Sequence, residues 1–146
     1  MDIAIDQVED EITSIMKQFN FKTATIPGIS LISAASIVSE FEDFSKFSSS
    51  NQLLSFAGLE PAIYESGTQQ TYGHIVKRGS SYLRETLMNV APFIMNYNPI
   101  FYKYYLKKRN EGKCHRVALT HLVKKLLRVI YYLEVNNLSF DSSKLK

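Results

Sequence analysis

The stretch from Ile26 to Phe41 constrains this chain more than any other: Ile-Pro-Gly-Ile-Ser, then Leu-Ile-Ser-Ala-Ala-Ser-Ile-Val-Ser-Glu-Phe. A proline and a glycine in a tight apolar turn lead straight into an amphipathic run. Leu31, Ala34, Ala35, Val38 and Phe41 recur there at helical spacing and face one way. Upstream, Asp2 to Phe19 also reads as a helix, with Ile5, Val8, Ile12, Ile15 and Phe19 along one side. The product is helix, hairpin, helix. Gly28 can take a positive φ in such a turn and bring backbone close to a ligand. The first amides of the second helix have no intrahelical acceptor, which makes them a candidate anion site.

That spacing resembles the helix–hairpin–helix motif, which holds DNA backbone without reading sequence. The motif runs glycine, apolar residue, glycine, three residues, alanine; here it is Gly28, Ile29, Ser30, then 31–33, then Ala34. Ser30 stands where the motif has its second glycine. An αα-corner that packs two helices satisfies the same pattern, and both readings remain open.

Charge is unevenly distributed along the chain. The formal net charge is +3, but from Met1 to Asp43 eight acids face only Lys17 and Lys22. From His74 to Arg128 twelve bases face only Glu85 and Glu111. Such segregation points the C-terminal half at a polyanion. At 146 residues, 45% apolar and 21% charged, the chain reads as a single domain with a real core. Its apolar runs are too short for a bilayer span, its start is acidic, and Cys114 is its one cysteine. These features fit a cytoplasmic, nucleoid-associated protein without a disulfide, a cysteine zinc cluster or a membrane partner.

Residues 1–24 read as the end of a linker or coiled-coil helix, 25–138 as the main domain and 139–146 as a frayed tail. The first helix can pair with a second copy or pack on its own domain. A serine-capped short helix around Asn51 to Ala57 stops at Gly58. From Leu59 to Gly79 the pattern turns irregular, as in a long functional loop with a short hairpin around Ile63–Tyr64 and His74–Val76. Three helices follow. The first, capped by Ser80 or Ser81, has the face Leu83, Leu87, Val90, Ala91 and Ile94, with Pro92 expected to kink it. Asn98-Pro99 opens the next, and Gly112 ends it. The last runs from Lys113 to Asn136 with Val117, Leu119, Leu122, Val123, Leu126 and Ile130 inward. The fold class is all-α.

Several stretches can carry chemistry. Ser66, before Gly67, can expose its hydroxyl in a turn, but a serine nucleophile needs an activating base or a polarised electrophile. Ser-Gly is also an ordinary turn dipeptide. Lys77, Arg78 and Arg84 flank a helix start and can hold a phosphate. Tyr97, Tyr102, Tyr104 and Tyr105 interleave with bases, either to stack on nucleobases or as half-buried helix residues with wet hydroxyls. On the last helix His121, Lys124, Lys125 and Arg128 share a basic face, and Lys113 and Arg116 are further candidates for DNA binding; the plain alternative is a solvated face. No histidine spacing or carboxylate cluster marks a metal site in this chain.

The order of these pieces is specific. Ile-Pro-Gly-Ile, Phe-Ala-Gly-Leu-Glu-Pro (Phe56 to Pro61), Glu-Ser-Gly (Glu65 to Gly67), Gly73 to Arg84, Gly112-Lys113 and Lys124-Lys125-Leu126-Leu127 follow at familiar intervals. Together they resemble the C-terminal domain of DEDD-type insertion-sequence transposases, RNA-guided recombinases related to the pilin-gene-inverting recombinases. The likeness covers about Thr25 to Asn136. It implies that Ser66 attacks DNA and becomes joined to it, and that Gly28, Ile29, Ser30 and the bases named above bind double-stranded DNA. It further implies a structured guide RNA, and Mg²⁺ held by four acids of an N-terminal RuvC-like domain rather than by this chain. Many relatives have Ser-Ser-Gly where this chain has Glu65-Ser66-Gly67. The rival readings are a non-catalytic helix–hairpin–helix nucleic-acid-binding module and a protein-interaction domain that pairs through its first helix.

Overall fold

The computed structural model describes residues 2–59 and 81–144, and among them six α-helices and no strand. The helices are α1 (Asp2–Phe19), α2 (Leu31–Phe41), α3 (Ser50–Phe56), α4 (Ser81–Tyr97), α5 (Pro99–Asn110) and α6 (His115–Asn136). Short 3-10 turns lie at Lys22–Thr25, Phe44–Lys46 and Ser142–Lys144. The all-α expectation is met. The expected long loop and short hairpin fall, from residue 60 onward, outside the described residues. None of the described helices is long and apolar enough to cross a membrane.

Helix α6 is the central post, against which α3, α4, α5 and the first two 3-10 turns pack. Its Leu122, Val123, Leu126, Leu127 and Ile130 are wholly buried, as the 3–4 residue spacing requires. The expected α4 face is also buried throughout, and α4 continues as one helix through Pro92. Val117 differs from expectation: it is 43% exposed. Its helical neighbours at i+4, i+7 and i+11 are His121, Lys124 and Arg128, so it lies on the polar stripe.

Local signals set most boundaries. Ser49 caps α3 through the Gln52 amide. At the other end the Gly58 N–H donates to Ser55 O and the Leu59 N–H to Leu54 O, with Gly58 at φ 75°. That pair of bonds is a Schellman stop, and buried Leu59 completes it. Glu42, at φ 63° and ψ −68°, ends α2 in a tight γ-turn in which the Asp43 N–H donates to Phe41 O at 2.7 Å. Asn98 opens α5 before Pro99, but its side chain makes no capping bond and is buried with no hydrogen-bond partner among the described residues.

Helix α1 packs on α2 mainly through Met16 and Ile12. Ile5, Val8, Ile15 and Phe19 each remain more than half exposed. The turn after α1 is fastened to the far end of α6. Buried Thr23 donates both its N–H (2.8 Å) and its hydroxyl (2.6 Å) to Glu134 Oε2. The tail read as frayed is held at Phe140, whose N–H donates to Thr25 Oγ1 at 2.9 Å.

Candidate nucleic-acid interface

The hairpin between α1 and α2 places Gly28 at φ +102°. A Cβ there would lie 2.7 Å from Ile94 Cα and 3.0 Å from both Ile94 N and Phe93 O. The close approach that glycine permits is therefore to the backbone of α4. This seats the hairpin on α4 and opens a groove of about 680 Å³ beside it.

One wall of the groove is the start of α2. Ser30 caps that helix, its Oγ accepting from the Ser33 N–H at 3.1 Å. The first intrahelical bond runs from the Ala34 N–H to Ser30 O, so the amides of Leu31 and Ile32 precede the ladder. The other wall is a stripe of α4: Tyr82, Thr86, Asn89, Phe93 and Tyr97. Tyr82, Phe93 and Tyr97 are each more than half exposed. Sequence reasoning missed this stripe as a unit. Its 4-3-4-4 spacing was readable, but it mixes polar and aromatic residues and so raises no apolar periodicity.

The second surface is the outer face of α5 and α6. Lys125 lies 4.8 Å above the Tyr104 ring and Lys108 5.3 Å from it. Burial, then Arg128 and Lys107, push the Lys125 ammonium below its ordinary pKa. Burial, then Lys108, Lys124 and Lys113, likewise depress His121, with Glu111 opposing. Glu111 Oε1 accepts from both Lys108 and Lys113 at 3.4 Å. Neighbouring positive charge thus adds to burial in disfavouring the protonated forms of Lys125 and His121, which an anion would relieve. Lys107 of α5 belongs to this face as much as the expected Lys124, Lys125 and Arg128, and Lys113 joins it at the α5–α6 turn. Arg116 is exposed in the first turn of α6.

Arg84 is differently placed. Its Nη1 donates to the Ala57 carbonyl at 3.2 Å, tying α4 to the end of α3. Tyr105 donates to or accepts from His115 Nδ1 at 2.7 Å and stacks on Tyr102. Ser66, Lys77 and Arg78 lie outside the described residues. Among the described residues no three His, Cys, Asp or Glu side chains gather as metal ligands.

Comparison with known proteins follows the same lines. The chain is 27% identical over 146 residues to the pilin gene-inverting protein of Moraxella lacunata, covering 94% of this chain and 45% of that protein. It is 30% identical over 107 residues to an uncharacterised 43.6 kDa protein of insertion element IS110 from Streptomyces coelicolor, covering 73% and 26%. It is 31% identical over 98 residues to the transposase for insertion sequence element IS1111A of Coxiella burnetii, covering 66% and 27%. The chain spans between about a quarter and just under half of these relatives' lengths. With residues 22–106 of its 146 matching the model of the transposase IS116/IS110/IS902 family, the chain belongs to that family.

Proposed function

We propose that this chain is the DNA-binding, serine-bearing part of a transposase-type recombinase. The crowded cationic face of α5–α6 carries the reading: Lys108 and Lys113 share Glu111 and, with Lys124, stand near His121, while Lys107 and Arg128 stand near Lys125. A phosphate backbone laid on that face neutralises the repulsion and releases its own counterions. The groove between the hairpin and α4 supplies a second hold. There Gly28, Ile29 and Ser30 act as a helix–hairpin–helix turn, the amides opening α2 meet a phosphate, and exposed aromatics flank it.

In the reaction, the Ser66 hydroxyl oxygen attacks a DNA phosphorus and the bridging oxygen of the broken strand leaves with a proton. The phosphodiester is replaced by a serine–phosphate ester, so the bond is conserved and a second strand end can reverse the step without an energy source. Lys77 and Arg78 brace that phosphate. The described residues do not fit a Mg²⁺ site, and the RuvC-like domain is the natural place for its ligands. A structured guide RNA and self-association through the exposed stripe of α1 complete the assembly.

The test is duplex DNA binding across a salt series. Affinity should fall steeply with salt, with a logarithmic slope of about −0.9 per phosphate neutralised, and Arg128→Gln should reduce the slope by about one. Salt-independent binding, or none at low salt, overturns the reading. In the reassembled recombinase, Ser66→Ala should abolish strand exchange while DNA binding persists; exchange that survives would leave only the binding role.

A further inference from the structure

A second cavity, of about 400 Å³, lies at the opposite end of the basic face, between α6 and the segment that follows it. Its floor is apolar: Val129 and Leu133 of α6 are buried there, and Phe140 closes it from the other side. The closure is held in place. Asn137 turns the chain through the left-handed region, the Leu138 N–H returns to Leu133 O, and the Phe140 N–H is fixed on Thr25 Oγ1. Tyr104 and Tyr132 stand at the mouth, with Tyr132 57% exposed. Lys125, Arg128 and Lys144 rim it. The one acid, Asp141, already accepts the Ser143 N–H and hydroxyl on its Oδ1.

We propose that this cavity receives one unpaired nucleotide of the DNA that the α5–α6 face holds. An apolar, aromatic-lined hollow of this size takes a single base, whereas a duplex is far too wide to enter. The cationic rim matches the phosphates on either side of an extruded base. Lys125 and Arg128 belong both to the rim and to the basic face, so a strand crossing that face reaches the cavity without a gap. Stacking on Tyr132 supplies the affinity and needs no particular base, because every base has a π-face. The assignment rests on the reading of α5–α6 as a DNA surface and adds to it a site selective for unpaired structure.

The experiment uses the 146-residue chain and three duplexes of one sequence: fully paired, with a single-base bulge, and with an abasic residue in the bulge. The base-bearing bulge should bind at least about fivefold more tightly than the abasic one, the lower end of what one stacked base contributes. Tyr132→Ala should remove that preference and Tyr132→Phe should keep it, with thermal unfolding confirming that both variants fold. Equal binding of the two bulges overturns the cavity while the basic face stands. Failure of all three probes at low salt overturns both. Tighter binding of the same bulge in RNA overturns the assignment to DNA.

Discussion

Replacing Gly28 by alanine separates two roles that one residue can play. If the glycine exists to let a phosphate approach, the variant folds normally and loses DNA affinity. The geometry leads to a different result. At φ +102° an L-residue is strained, by about 1–2 kcal/mol on the usual scale for the left-handed region. The new methyl also meets the backbone of Phe93 and Ile94 at 2.7–3.0 Å, and backbone cannot rotate away as a flexible side chain does. Overpacking of that kind costs about 1–3 kcal/mol, for a total of about 2–5 kcal/mol. Gly112→Ala is the internal control: it has nearly the same φ, +95°, with nothing within 4 Å of its Cβ position, so only the strain of about 1–2 kcal/mol applies. Urea denaturation of the parent and both variants gives the comparison. The Gly28 variant should unfold at clearly lower denaturant than the Gly112 variant, with a Tm roughly 6–15 °C below the parent. Equal stabilities for Gly28→Ala and the parent would refute the seating of the hairpin on α4.

Three further outcomes follow from single contacts. Glu134→Ala strands the N–H and hydroxyl of buried Thr23 and should cost about 2–3 kcal/mol by chemical denaturation, with Glu134→Gln costing less because one acceptor oxygen remains. Glu42→Gly should stabilise by about 0.5–1 kcal/mol, since glycine relieves the γ-turn strain and the lost Lys46 pair, at 3.9 Å, is exposed; a destabilised variant would count against that turn. His121 is depressed below the ordinary imidazole range by burial and then by its lysine neighbours. As pH falls from the unfolded-state value to the folded one, the unfolded chain binds more protons and stability declines. DNA phosphates reverse the sign locally, so DNA affinity should rise over that same interval, and His121→Gln should flatten the rise in a binding titration.

Much of this architecture was legible in residue spacing. The buried face of α4, the serine start and glycine stop of α3, and the Asn98-Pro99 opening of α5 are local events governed by local chemistry. Gly28 shows where legibility ends. Its positive φ follows from the turn, but which surface it approaches depends on α4, some 65 positions later. Val117 was misassigned because the continuous apolar run Val117-Ala118-Leu119 at the start of a helix carries little phase information, and only its later turns show that Val117 lies in line with His121, Lys124 and Arg128. The apolar spacing of α1 shows that one face is suited to a partner, yet Ile5, Val8, Ile15 and Phe19 remain uncovered here, because periodicity does not supply the partner. For the candidate interface, the bases of α6 were visible as a stripe. Lys107 gained its place only when α5 was folded against it, and the groove wall on α4 required knowing that the hairpin sits opposite.

The bonds from Thr23 and Thr25 to Glu134 and Phe140 span 111 and 115 positions. They also set an order of events during synthesis. The hairpin leaves the ribosome more than a hundred residues ahead of its fastening points. Until then the buried threonine has no acceptor and the apolar turn at Ile26 lacks part of its cover. Closing so long a loop is slow compared with forming any of the helices. The hairpin's final geometry, and with it the groove beside α2, is therefore a late product of folding, completed only after nearly the whole of α6 has been made.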